Sequence, residues 1–272
     1  MKFLFTCGGT AGHINPALGV AQRLRELLPD CEILFVGADG HMETELVPRE
    51  GFPIKTVTIT NISREKSLEG AKHNAETVKN VFISISQAKK IIREFQPDVV
   101  VGTGGYVCYP VLKAAQSLHI PTVVHESNAL PGLTTKMLAG STDRILVGFE
   151  ESKQYYKHQE RVIVTGTPVR QEFKNNDKAA ARAKLGLDPD KPLVVSVWGS
   201  LGADFMNKTM IGFIQKALGN PFFGLIHSAG QGGYKKMLAD MDRAGIKDAG
   251  AHGMDVREYI YDMATVMRAA DL

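Results

Sequence analysis

Lys2-Phe3-Leu4-Phe5-Thr6-Cys7-Gly8-Gly9-Thr10-Ala11-Gly12-His13 opens the chain. Residues 2–6 are apolar β-formers and read as a strand. A glycine turn follows, and then a helix expected from Asn15 and Pro16. Asn15 suits the cap and Pro16 the first helical position. Ala17, Val20, Ala21, Leu24, Leu27 and Leu28 recur on one face of that helix. Strand, glycine turn and helix in this order aim free backbone N–H groups at an anion. The glycines let a ligand approach closely. The spacing matches neither G-x-G-x-x-G nor G-x-x-x-x-G-K-[ST]. His13 sits at the mouth of the turn and is a candidate base, because an imidazole exchanges its proton near neutrality. The alternative is a helix-start histidine with a satisfied hydrogen bond.

Outward from this stretch the same logic repeats. Residues 31–37 and 52–59 read as strands, 42–50 as a short helix between them, and 61–72 as a loop. Residues 74–95 read as a helix with Val78, Phe82, Ile85, Ala88, Ile91, Ile92 and Phe95 on one side and Lys89, Lys90 and Arg93 on the other. Residues 97–102 form a β-branched run typical of a buried parallel strand. They enter a second glycine turn, Thr103-Gly104-Gly105-Tyr106, and a helix over 109–115. Residues 121–126 are the next strand, ending in His125-Glu126, and Ser127-Asn128 turns towards a short helix ending near 139. Short strands follow at 144–147 and 162–164. This is the pattern of a doubly wound sheet, whose ligands bind beyond the carboxyl ends of the strands. The turns at Gly9, Gly104 and Asn128 are therefore expected to converge.

Residues 166–177 lack an apolar period and read as a linker between an N-terminal domain (1–165) and a second domain (178–272). Residues 192–202 then restate the opening: an apolar strand, Trp198 at its end, and the turn Gly199-Ser200-Leu201-Gly202. A strand over 221–227, a helix over 231–244, a strand over 256–260 and a helix over 262–270 complete it. The second sheet is expected to be short and the domain incomplete. Trp198 is expected in the core, and His125 and His227 in structural roles.

The totals suit a folded protein of one large or two ordinary domains: 272 residues, 44% hydrophobic and 22% charged. A net charge of +3 is too small to indicate a nucleic-acid partner, and nucleic-acid binding is not expected. Three widely spaced cysteines, Cys7, Cys31 and Cys108, fit no zinc pattern and point to a reducing compartment. No apolar run reaches the roughly 18 residues of a membrane span.

Several stretches together resemble the MurG family of bacterial N-acetylglucosamine transferases. They are Gly8 to His13 with Pro16, Gly102 to Val107 with Pro110, Ile120 to Asn128 with Pro131-Gly132, Gly166 to Arg170, Gly199 to Gly202 with Asn207, and Tyr259 to Met263. The resemblance implies an α/β chain of the GT-B fold, with two doubly wound Rossmann-like domains, the second incomplete. The first would bind the acceptor and the second the nucleotide sugar. It implies inverting transfer of N-acetylglucosamine from UDP-GlcNAc to an undecaprenyl-linked muramoyl-pentapeptide at the cytoplasmic face of the plasma membrane, as a peripheral protein. It implies no metal ion and no cofactor. Inverting transfer needs a base for the attacking hydroxyl: His13 is the better candidate, because an imidazole exchanges its proton near neutrality, and Glu126 is its rival or else orients the acceptor. By the same resemblance Thr10, Ala11, Gly12, Asn128, Arg170, Ser200 and Ile260 match donor-contacting positions, and Gly104, Gly105 and Tyr106 are candidates for the acceptor. The chain departs from the family at Ala11, where many members have glycine, and at Leu201, where many have glutamine. It ends before the later donor motif, so the donor pocket is expected to be incomplete. Two other readings stand beside this one: a non-catalytic acceptor-binding subunit or fragment, and another GT-B enzyme such as a glycolipid synthase or a UDP-GlcNAc epimerase.

Overall fold

A computed structural model describes residues 1–60, 67–174, 177–219 and 222–272, with backbone only at 68, 70–75 and 78. The chain divides into two compact units, Met1–Gln171 and Glu172–Leu272. In the first, strands β1 (Lys2–Thr6), β2 (Glu32–Ala38), β3 (Ile54–Val57), β4 (Val99–Gly102), β5 (Thr122–Glu126), β6 (Arg144–Val147) and β7 (Val162–Val164) alternate with helices. The helices are α1 (Ala11–Leu27), α2 (Glu43–Arg49), α3 (Leu68–Phe95), α4 (Cys108–Ser117) and α5 (Leu133–Ala139). The sheet runs β3-β2-β1-β4-β5-β6-β7 and every pairing is parallel. Strand order reverses between β1 and β4, the point at which such sheets open a crevice for ligands.

Parallel strands covered on both faces need apolar residues at nearly every position. Leu4, Leu34, Val36, Val100 and Val124 pack with Ala88, Ile91 and Ile92 of α3 and Val111 and Leu112 of α4. Phe5 and Phe35, pointing to the other face, stack with centroids 5.2 Å apart. Ile14, Ala17, Leu18 and Ala21 of α1 are buried as well.

Two helices begin earlier than the sequence predicts. α1 starts at Ala11, not at Pro16, because Thr10 takes an extended conformation and its carbonyl accepts the N–H of both His13 (3.0 Å) and Ile14 (3.2 Å). Pro16 thus lies inside the helix, where it provides no N–H for the Gly12 carbonyl. α3 starts at Leu68, with Glu69 in its first turn favoring the helix dipole. The sequence shows no apolar period there, so residues 68–72 read as loop. Residues 61–66 of that expected loop lie outside the described residues.

The second unit holds a parallel sheet ordered β10-β9-β8. Its elements are α6 (Lys178–Lys184), β8 (Leu193–Val197), α7 (Asp204–Ala217), β9 (Gly224–Ser228), α8 (Tyr234–Arg243), β10 (Met254–Arg257) and α9 (Met263–Ala269). One face is packed by Met210, Ile214, Leu225, Met237 and Met254, the other by Leu193, Ile226, Ile260 and Val266. Trp198 is not in the core: it is 45% exposed. It follows the last residue of β8, where the sheet no longer covers it, and its indole N–H donates to Ser196 Oγ at 2.9 Å.

Candidate functional site

Thr6 of β1 pairs with Gly102 of β4, so the two glycine turns leave the sheet at the same height on either side of the reversal. They interlock. A Cβ on Gly105 would overlap the Gly8 carbonyl, and one on Gly104 would lie 2.5 Å from His13 Cδ2. Both glycines also have positive φ, +110° at Gly104 and +87° at Gly105, so side chains are excluded there by space and by backbone conformation. Thr103 Oγ1 donates to the His13 carbonyl at 2.6 Å, tying the second turn to the start of α1.

Within this junction His13 Nδ1 lies 3.0 Å from the Gly8 carbonyl. A carbonyl only accepts, so the proton of the neutral ring sits on Nδ1 and Nε2 carries the lone pair. Thr10 Oγ1 lies 3.4 Å from the same Nδ1. The half-buried imidazole therefore presents a proton-accepting nitrogen beside Gly104, at the crevice.

Glu43 escapes sequence reasoning, which sees residues 42–50 only as a short helix. It has no solvent exposure. Its Oε1 accepts the Ala38 N–H at 2.9 Å and its Oε2 the Gly9 N–H at 3.2 Å. Gly37 and Gly8 make room for it: a Cβ on either would come within 2.5 Å of the Glu43 side chain. The available signal was an acidic residue soon after a strand that contains a glycine near its exit. Around it, burial raises the Tyr106 hydroxyl to about 12, with the Glu43 charge adding to the effect. Burial also raises the Cys108 thiol to about 12 and the Cys7 thiol well above its ordinary range, so neither is a nucleophile at neutral pH. The Tyr106 ring covers Gly9 and meets His41 edge-on at 5.7 Å.

The third turn is held by Glu126. Its Oε1 accepts from the Asn128 backbone N–H at 3.1 Å and from Asn128 Nδ2 at 2.8 Å, and its Oε2 accepts from Gly132 N–H at 2.9 Å. The carboxyl group is buried and engaged by its own loop, while Asn128 is exposed. His125 donates from Nε2 to the Gly166 carbonyl at 3.0 Å, and burial lowers its pKa.

Arg170 lies elsewhere. Its backbone packs against Gly19, eight residues and about 12 Å along α1 from the glycine turn. Its buried guanidinium donates to Glu50 Oε1 at 2.8 Å, and Gln22 holds the other Glu50 oxygen. In the second unit, Gly202 and Gly230 pack backbone to backbone, both at positive φ, which repeats the interlocked turns of the first. A polar chain braces them: Trp198 Nε1 donates to Ser196 Oγ, Ser196 Oγ to His227 Nδ1 (3.0 Å), His227 Nε2 to Asn207 Oδ1 (3.1 Å), and Asn207 Nδ2 to the Ala229 carbonyl (2.9 Å). Ser200 is half-buried in the first of these turns, and its carbonyl accepts the Gln231 N–H. The Ile260 side chain is buried in the core, which leaves only its backbone for a ligand.

Residues 3–147 match the glycosyltransferase family 28 N-terminal domain. The whole chain is 40% identical to an N-acetylglucosamine transferase of Acetivibrio thermocellus, named for N-acetylmuramyl-(pentapeptide) pyrophosphoryl-undecaprenol, and spans 71% of it. A MurG crystal structure from Acinetobacter baumannii superposes with a TM-score of 0.58 at 24% identity, over 99% of this chain and 71% of that one. A UDP-GlcNAc 2-epimerase of Neisseria meningitidis superposes at 0.63 over 99% of this chain and 76% of that one, but at 15% identity. The fold is thus shared by transferases and epimerases, and sequence separates them. Two Rossmann-like units, a family model matching more than half of the chain and 40% identity along all of it lead to one assignment: the chain belongs to glycosyltransferase family 28, in its MurG branch.

Proposed function

We propose that this chain transfers N-acetylglucosamine from UDP-GlcNAc to an undecaprenyl-linked muramoyl-pentapeptide, the step from lipid I to lipid II. Membership of a family of UDP-GlcNAc-dependent glycosyltransferases supports the reaction type. The chemistry rests on one observation: His13 Nδ1 lies 3.0 Å from the Gly8 carbonyl, a contact that assigns the ring proton to Nδ1 and leaves Nε2 as the acceptor at the junction of the glycine turns. Nε2 takes the proton of the attacking acceptor hydroxyl. That oxygen bonds to the anomeric carbon from the face opposite the nucleotide, the bond to the diphosphate oxygen breaks, and UDP leaves with inversion. Backbone N–H groups at the start of α1, in Thr10, Ala11 and Gly12, stabilise phosphate charge. Gly104, Gly105 and Tyr106 border the acceptor. Asn128, Ser200 and the backbone at Ile260 contact the donor. Glu126 shapes its own loop and so holds Asn128. Arg170, paired with Glu50, supports α1 at Gly19, away from the glycine turn.

The first unit would bind the acceptor and the second the nucleotide sugar. Among the described residues no helix is long and apolar enough to cross a membrane. Phe82 (70% exposed) and Ile83 (38%) stand on α3 one turn from the exposed Lys79, a pattern that suits peripheral contact with an anionic leaflet.

The test is transfer of labelled N-acetylglucosamine to a lipid-linked muramoyl-pentapeptide analogue, without added metal. It compares this chain with a version extended to the length of its relatives. Product that depends on His13 in either form supports the reading. A lack of product from both forms, with acceptor still bound, replaces it with an acceptor-binding module.

A further inference from the structure

The Gly9 N–H that Glu43 accepts and the Gly8 carbonyl that His13 Nδ1 meets belong to the same peptide group. A trans peptide is planar, with its N–H and C=O pointing in opposite directions. The carboxyl group therefore holds one end of this plane and the imidazole the other, giving a continuous line of Glu43 Oε2, Gly9 N–H, Gly8 C=O and His13 Nδ1–H. We propose that Glu43 is the positioning residue for His13, acting through the Gly8–Gly9 peptide, a role that rests on His13 serving as the base.

Three features carry this. First, a carboxyl group removed from water persists only where its oxygens are satisfied, and both Glu43 oxygens are taken by backbone N–H groups from different segments. The Ala38 bond anchors it to β2, leaving the Gly9 bond to act on the turn. Second, glycines flank the peptide, and Gly9 has φ +86°. A peptide between two glycines reorients easily, so the Gly8 carbonyl keeps facing His13 only if something holds the N–H on its far side. Third, hydrogen bonds in line polarise one another, so a carboxylate on the N–H makes the Gly8 carbonyl a stronger acceptor for the Nδ1 proton. The logic is that of an acid orienting a histidine, with one peptide inserted between them.

The experiment uses the whole chain with ¹⁵N-labelled histidine, His13 being assigned by its absence in His13→Gln. In the wild type, the ring nitrogen shifts are expected to report the Nδ1–H form. Glu43→Gln keeps the shape but presents an NH₂ group to one of the two N–H donors. The expected result is loss of the Nδ1–H preference and a fall in transfer kcat of about 100-fold, with KM values unchanged. Val124→Ala, which loosens the same core, is expected to leave the His13 spectrum unaltered. If Glu43→Gln does not fold, Glu43→Asp, one methylene short of the turn, takes its place. A wild-type His13 in the Nε2–H form overturns the proposal, as does a Glu43 variant that keeps the Nδ1–H form. Retained turnover in His13→Gln instead overturns the base assignment, and the spectra tell the two failures apart.

Discussion

His13 accepts a proton at Nε2 only while the Gly8 carbonyl holds the one on Nδ1. Replacing it by glutamine removes the base and leaves the turn in place. The expected result is a kcat lower by roughly 10² to 10⁴-fold with KM for UDP-GlcNAc little changed, read from initial transfer rates. Gly105→Ala tests the interlock. The new methyl group meets the Gly8 carbonyl at a backbone angle that suits glycine, and a loss of about 1–3 kcal/mol is expected from urea midpoints. The glycines and His13 are legible in the sequence because they are adjacent and their chemistry is local. Glu43 is not, because its partner Gly9 lies 34 positions away and a glutamate opening a short helix usually faces water. For Arg170 and Ile260 the resemblance supplies a residue type. Only the packing shows that one pairs with Glu50 and that the other is in the core.

Among the elements, the central strands β1, β2, β4 and β5 are the most legible, because burial on both faces writes short apolar runs, whereas β10, Met254-Asp255-Val256-Arg257, carries no such run and lies at 254–257 where the sequence suggests 256–260. Helix starts are less so. Asn15-Pro16 resembles a start signal, yet an extended Thr10 begins α1 earlier, and that choice depends on the neighbouring turn. In the second unit, β8, β9 and α7 are joined by the chain through Ser196, His227 and Asn207. Asn207→Ala strands the His227 Nε2–H and the Ala229 carbonyl in the buried interior. A loss of about 1–3 kcal/mol for each orphaned group is expected in a urea titration. Burial holds His125 and His227 below the ordinary histidine value of 6.5. Below pH 6.5 the unfolded chain therefore binds more protons than the folded one. Stability is expected to fall as pH drops from 6.5 towards the native pKa values, and this contribution levels off below them. Urea midpoints taken on both sides of pH 6.5 check this, and a flat response through that window contradicts it.

For the whole molecule, two doubly wound units are legible because the strand–turn–helix unit recurs on each side of residues 166–177. The convergence of the Gly9 and Gly104 turns follows from the doubly wound pattern, but the order in which strands pair is a long-range property, and the structure supplies the direct β1–β4 pairing that seats the two turns side by side. If the first unit touches anionic membrane through α3, Phe82→Asp is expected to weaken co-sedimentation with vesicles containing anionic lipid and leave the transfer rate to a short-chain soluble acceptor unchanged. Binding that is indifferent to the substitution moves the contact elsewhere. Trp198, the chain's sole tryptophan, lies in the second unit, and its indole is hydrogen-bonded through Ser196 to His227. Its fluorescence is thus a built-in reporter for that unit alone, whereas circular dichroism sums the helices of both. A gap between the optical transitions would measure how far one half of the molecule melts without the other, with no label added.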